Sequence, residues 1–225
     1  MRYSPAHKPA TRRRILDVAS QAFREGGGYA TGVDEVMRRA ELTHGGFYAH
    51  FRDKSELVAE ACAAAFGEAV ANLDRIAALP TAARRARLLI DSYLSLRHRD
   101  NRGSGCVVVT VGADMARLRG AAREGYSRGL VGHLERLGAA LRLSEDPEVN
   151  RERMIHLMSA LVGALLFARA IDDPERSRAI LHSMRRHLCR EFAGLPPARA
   201  TRPAARPLPD FLCATATTPS HLHEP

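Results

Sequence analysis

Apolar residues recur three and four positions apart along most of this chain, the spacing of a helix with one buried face. From Thr11 to Arg24, Ile15, Leu16, Ala19, Ala22 and Phe23 share one side, and Arg12, Arg13 and Arg14 crowd the first turn. Gly26, Gly27 and Gly28 predict the end of that helix, because glycine takes the left-handed conformation at a helix C-terminus. Val33, Val36, Met37 and Ala40 predict a short second helix with Arg38 and Arg39 on its polar side. The link through Glu41 and Leu42 allows only a tight turn. Thr43 then caps a third helix, His44 to Phe51, in which Phe47 and Phe51 share the buried face.

Asp53, with Glu56 three residues on, opens a long fourth helix through Leu57, Val58, Phe66, Val70 and Leu73, ending near Pro80. A fifth places Leu88, Leu89, Tyr93 and Leu96 inward and stops at a flexible loop, 100–105. Cys106 to Thr110 has strand-like residues but no second strand to pair with, so a buried helix running to Leu118 is expected. Another helix spans about Ala121 to Leu143. Asp146-Pro147-Glu148 and Asp173-Pro174-Glu175 are matching start signals: a capping Asp, Pro at the first helical position, an acid at the positive end of the dipole. These open the last two helices. Beyond Leu195 the Pro-, Ala- and Arg-rich chain loses periodicity.

The expected fold is therefore all-α, a three-helix helix-turn-helix followed by a helical bundle. Its expected divisions are a flexible arm at 1–10, the helix-turn-helix at 11–57, a sensing and dimerisation domain at 58–195, and a disordered tail at 196–225. The domain break falls within the fourth helix.

Composition narrows the partners. The 225 residues carry a net charge of +9, almost all of it from Arg, and such a surface favours polyanions, nucleic acid first. Cys62, Cys106, Cys189 and Cys213 show neither CxxC spacing nor a His cluster, so no metal site, cofactor or disulfide framework is expected. A reduced, cytoplasmic setting fits. The N-terminal segment has no apolar stretch of a signal peptide, and the longest apolar run, Leu157 to Ala168, is short for a bilayer, so no membrane partner is expected.

Three short helices, the last two joined by a tight turn, basic outside and apolar inside, make a helix-turn-helix. Gly45 and Gly46 leave the third helix almost bare beyond His44, so its backbone can approach base edges. Tyr48, His50 and Lys54 add donors, and Lys54 with the amides after Asp53 forms a phosphate clamp. The segment from Thr31 to Leu57, above all Gly-x-Phe-Tyr-x-His-Phe-x-x-Lys from Gly45 to Lys54, closely resembles the DNA-binding domain of the TetR/AcrR family of regulators. The match covers about Thr11 to Leu57. It implies roughly nine helices, a homodimer on a palindromic double-stranded operator, and a small-molecule effector that moves the DNA-binding domains apart. Carried over by position, His44, Gly45, Gly46 and Tyr48 face bases. Thr31, Tyr48, His50 and Lys54 meet phosphates, and Thr43 at the helix start completes the DNA-binding set. The family commonly has Gly where this chain has Glu41, and a positive φ there would cost about 1 kcal/mol.

The helix from Pro147 to Ile171 is apolar over much of its girth and needs cover on two sides. Met158, Leu161 and Leu165, with Leu181, Met184 and Leu188 of the last helix, are expected to form a four-helix dimer seam. Tyr93, Leu96, Cys106, Met115, Tyr126, Met154 and Phe167 are candidates to line an effector cavity, and each is equally consistent with ordinary core. Cys106 after a Gly-Ser-Gly loop is either an inert buried thiol or a sensor of electrophiles. Two other functions compete. An enzyme would need a GxSxG, HExxH, Walker or dinucleotide motif, and none occurs. An architectural DNA-binder would not need the large apolar C-terminal region.

Overall fold

The computed structural model describes residues 7–27, 30–70 and 73–194, and among them the chain is helical, with no strand. In order come α1 (His7–Gly26), α2 (Val33–Arg39), a 3-10 helix (His44–Ala49), α3 (Lys54–Val70), α4 (Leu73–Ala77), α5 (Ala82–Tyr93), α6 (Leu96–Asp100), α7 (Val107–Arg117), α8 (Ala121–Leu141), α9 (Pro147–Ala170) and α10 (Pro174–Ala193). Residues 1–6 of the expected arm and the whole expected tail from 196 lie outside the described residues. Residues 7–10 are not arm but the first turn of α1, where Pro9 needs no amide partner.

The start signals act as read. Asp146 accepts from the amides of Glu148 and Val149 at 2.9 and 3.1 Å, and Asp173 from Glu175 and Arg176 at 2.8 and 3.1 Å. Asp53 accepts from the Glu56 amide at 2.8 Å while the Glu56 carboxylate reaches back to the amide of Arg52 at 2.9 Å. The strand-like segment after Cys106 is helix α7. The expected fourth helix is described on both sides of residues 71 and 72, as α3 and α4. The fifth ends at Tyr93, and α6 restarts because Ser95 caps it, its hydroxyl accepting from the His98 amide at 3.1 Å.

Two apolar clusters fill the interior. The first joins α1, α2, the 3-10 helix and α3 through Ile15, Phe23, Met37, Phe47 and Leu57, and takes in Val107, Val111 and Met115 of α7. The second joins α4, α5, α8, α9 and α10 around Ile90, Leu157, Leu161 and Leu165. Helix α7 therefore packs its apolar face on the N-terminal helices. By length and composition α9 is apolar enough to cross a membrane, but Leu157, Leu161, Leu165 and Ala168 are buried in the second cluster.

That burial corrects the expected dimer seam. Leu161 and Leu165 are fully enclosed in the protomer, Met158, Leu181 and Leu188 are buried beside them, and Met184 is half-buried. These side chains hold α9 and α10 to their own bundle. The exposed apolar side of α9 is another stripe, with Ile155 at 48 %, Leu166 at 47 % and Phe167 at 64 % exposure.

Candidate nucleic-acid interface and interior polar cluster

The turn between α2 and the 3-10 helix closes with the Leu42 amide on the Met37 carbonyl at 2.9 Å and the Glu41 amide on the Arg38 carbonyl at 3.0 Å. This paired pattern needs a left-handed residue between its two bonds. Glu41 supplies it with φ +56°, so the condition raised from the sequence is met and a residue with a side chain carries the left-handed conformation. The next helix is 3-10 rather than α, since Gly45 and Gly46 are poor α-helix formers in so short a segment. Phe47 anchors it, buried and stacked on Phe51 at 5.6 Å.

The opposite side of this short helix is bare. His44, Gly45 and Tyr48 are exposed, Tyr48 at 66 %. A Cβ on Gly45 would meet nothing within 4 Å, so the fold itself does not require glycine there. Tyr48 stands edge-on to Phe47 and His44 at 5.2 and 5.9 Å, and His44 pairs through Nδ1 with Asp34 of α2. Thr43 occupies the cap position without a side-chain cap bond, which leaves its hydroxyl on the exposed edge.

Not every basic residue nearby is available. Arg12 lies over the Phe51 ring at 4.4 Å, donates to Glu60 and Glu56, and reaches the His50 carbonyl at 3.3 Å, so it clamps α1 to α3. Arg39 is held by Glu25 and Glu35, both at 2.6 Å. Arg13 and Arg14 are exposed. The Thr31 hydroxyl donates to the Gly27 carbonyl at 2.9 Å and helps end α1. Lys54 is half-buried at the start of α3, where desolvation lowers its pKa and nearby Asp114 of α7 opposes the shift. His50 sits half-buried at the end of the 3-10 helix.

The expected effector set divides. Tyr93 and Tyr126 are buried, Tyr93 in the second apolar cluster and Tyr126 in the first. Met115 joins the N-terminal apolar cluster with Tyr126, whereas Met154 lies in the other cluster beside Gly138. Leu96 and Phe167 are exposed on the protomer and line no interior space, because α6 and the far face of α9 turn them outward. Two residues not singled out from the sequence complete the group. His98 receives the Cys106 amide on Nε2 at 3.0 Å and gives Nδ1–H to the Tyr93 carbonyl at 2.8 Å, so its ring is neutral and both nitrogens are used. Burial lowers its pKa accordingly, and the nearby cation Arg169 pushes the same way. Arg169 donates to the carbonyls of His98 and Arg99 at 2.7 and 3.1 Å and forms no ion pair among the described residues. It is the lone charge in the apolar run from Leu157 to Ile171, which is the signal that could have found it.

Residues 15–61 match the family model described as bacterial regulatory proteins, tetR family. The HTH-type transcriptional regulator AcrR of Shigella flexneri is 44 % identical over 50 residues, 22 % of this chain and 23 % of that relative, so the match spans about a quarter of the relative's length. Among solved structures, reduced E. coli NemR is similar with a TM-score of 0.66 at 21 % identity, covering 80 % of this chain and 95 % of that one. Bacillus subtilis FadR in complex with stearoyl-CoA is similar at 0.62 and 16 % identity, covering 82 % and 99 %. At these identities the structural likeness speaks for the fold.

Proposed function

We infer, from a chain that belongs to the TetR/AcrR family by its segment 15–61, that it is a sequence-specific DNA-binding transcriptional regulator, a cytoplasmic repressor released from its operator by a small-molecule effector. The observation that carries this reading is the bare edge of the 3-10 helix. Gly45 has no internal reason to lack a side chain and Tyr48 has no internal reason to be exposed, but both suit a helix laid against base edges. His44 and Thr43 lie on the same edge, with Gly46 beside them. Thr31, His50 and Lys54 are the phosphate-facing set.

The operator reading requires two copies, with half-sites about one helical turn apart. The second copy covers the exposed stripe of α9 at Ile155, Leu166 and Phe167, since apolar side chains this exposed on one helix face gain most from a symmetric partner. Release by an effector is supported by the packing of the α6–α7 loop. A Cβ on Gly103 would come within 2.6 Å of Glu25 in α1, and Glu25 in turn holds Arg39 of α2. A shift of that loop is therefore felt at the helix-turn-helix. The effector region is the interior around Tyr93, Cys106 and Tyr126, and the domain division stands near residue 57, within α3.

The test is titration onto the DNA upstream of the chain's own gene and onto scrambled DNA at matched salt. Tight binding to the first alone is expected, and equal binding to both would leave only a non-specific DNA-binder. Lys54→Ala is expected to weaken both modes and lower the salt slope by about one.

A further inference from the structure

Helix α8 lies against α3 and runs parallel to it. A Cβ on Gly125 of α8 would stand 3.2 Å from the Ala59 Cβ, and one on Gly129 would stand 2.6 Å from the Phe66 ring, so the contacts advance along both helices together. Farther on, Leu137 of α8 shares the second apolar cluster with Leu73 and Ile76 of α4. The start of α8 therefore sits beside the start of α3. Ala59 lies five residues past Lys54, about 7.5 Å of helix, and Gly125 lies five past Gly120. The turn that joins α7 to α8 is thus held at the Lys54 end of α3. Its Leu118 packs on the cluster of Phe47, Phe51 and Leu57, with its amide on the Met115 carbonyl at 3.2 Å. Gly120, at φ +72°, turns the chain into α8.

Three arginines meet on this turn. Arg117 and Arg119 flank Leu118, and Arg123 reaches back to donate Nη1–H to the Leu118 carbonyl at 3.4 Å. All three are exposed, and none forms an ion pair among the described residues. The neighbouring acids are engaged elsewhere. Glu124 pairs with Arg128 at 4.0 Å, Glu56 and Glu60 pair with Arg12, and Asp53 takes Arg52 and the Glu56 amide. Asp114 lies one turn before Arg117, toward Gly27, where a Cβ would stand 3.4 Å from its Oδ2. Three Arg against this one Asp leave the turn positive.

The arginines of the first helices are in a different state. Arg12, Arg24, Arg38 and Arg39 each hold a carboxylate of the same protomer. Their charge is largely spent inside the protein, whereas that of the α7–α8 turn is not. A DNA duplex carries one negative charge per about 1.7 Å of its axis, so its backbone continues past the phosphates met at Lys54. Guanidiniums held beside that path release counterions on contact and give up no internal ion pair in doing so.

We propose that Arg117, Arg119 and Arg123 form a second phosphate-binding surface, through which the C-terminal bundle meets the backbone of the same duplex that the 3-10 helix reads. The proposal rests on the DNA reading above and adds a contact from outside the helix-turn-helix. The three residues carry affinity and no sequence preference, because phosphates are alike at every base pair.

The test uses the full chain and two duplexes of equal length, the DNA upstream of its own gene and a scrambled version. Binding is followed by fluorescence anisotropy between about 50 and 200 mM salt. Combined Arg117→Gln, Arg119→Gln and Arg123→Gln is expected to lower the salt slope by about two to three, at about 0.9 per phosphate, on both duplexes. The ratio of the two affinities is expected to stay within about twofold of the parent. Arg75→Gln, Arg84→Gln and Arg136→Gln remove the same charge from exposed positions on α4, α5 and the far half of α8, and are expected to leave the slope within about 0.5 of the parent. The triple Arg→Lys variant of the turn is expected to keep most of the slope. An unchanged slope in the folded Gln triple overturns the surface. So does an equal fall in the distal triple, which would trace the effect to net charge alone. A Lys triple that loses as much as the Gln triple overturns it too, by assigning the arginines to the shape of the turn. If the Gln triple melts early, Arg119→Gln alone decides, since that side chain makes no internal bond: a fall of about one supports the contact and no fall removes it. A parent that binds neither duplex overturns the DNA reading and this surface together. A parent that prefers the upstream duplex, matched in slope by the Gln triple, overturns this surface and leaves the DNA reading standing.

Discussion

The edge of the 3-10 helix and the polar cluster around Cys106 are opposite in exposure and alike in one respect. At the edge, Gly45 and Tyr48 lie open to solvent with no task in the fold. In the interior, Tyr93, Tyr126 and Arg169 are enclosed and leave polar atoms the fold does not satisfy. In both places local stability alone would choose other residues: Ala for Gly45, Phe for Tyr126, a neutral side chain for Arg169. The comparison teaches that exposed side chains the interior does not need and buried polar groups it does not complete are alike in having no explanation in local stability. It also separates both sites from Arg12 and Arg39, whose charges are consumed within the protein.

The comparison is tested hardest on α9, which has an interior and an exterior apolar face. Leu161→Glu places a charge in the filled core and is expected to unfold the protomer, a loss of several kcal/mol visible by circular dichroism. Phe167→Glu is expected to keep helicity and Tm near the parent at low concentration and to yield monomer in sedimentation. A folded Leu161→Glu protein, or a dimeric Phe167→Glu one, would reverse the assignment of the two faces.

At the exposed edge of the 3-10 helix, Tyr48→Ala is expected to cost roughly 1–3 kcal/mol of operator binding with stability changed by no more than about 0.5 kcal/mol. Gly45→Ala sharpens the point, since the added methyl meets nothing inside the protein. Lost binding with unchanged melting supports a backbone pressed against DNA. Unchanged binding in a folded variant removes Gly45 from the site.

The Glu41 turn makes a smaller difference. Glu41→Gly relieves a left-handed residue and is expected to raise stability by up to about 1 kcal/mol in denaturant titration, with operator affinity unchanged. A loss of stability would show that the Glu41 side chain earns its place.

The gentlest effect is a pH slope. Burial lowers the pKa of His98 and of His133 below 6.5. The unfolded chain then binds more protons than the folded one as pH drops past about 6.5, so stability is full above that pH and declines below it. Melting temperature is expected to fall steadily from pH 7.5 to 5.5, and to fall less when both histidines are replaced by Gln. A flat profile in the parent would show that protonation there is not coupled to folding.

Much of the molecule was legible beforehand because its signals are local. The caps at Asp53, Asp146 and Asp173 act over three residues, and the tight turn after Ala40 admits one backbone path, so both could be read along the chain. The motif from Gly45 to Lys54 is local too. Where the reading failed, the deciding contact was distant in sequence. Met158, Leu161 and Leu165 make as good an outward stripe as an inward one on paper, and only the packing of α5, α8 and α10 on α9 settles which. Leu96 looked like a continuation of the fifth helix until the Ser95 cap turned α6 away.

What the sequence determined by itself is the helical class, most helix starts, the tight turn after Ala40 and the motif that matches the tetR family model. All of these follow from residues within a turn or two of one another, where backbone chemistry decides. What only the tertiary structure decided is which apolar face looks inward, which arginines are already paired, and that Tyr93, His98, Cys106 and Arg169 come together. Those four residues come from α5, α6, the start of α7 and α9, and no periodicity along a chain encodes how separate helices pack against each other.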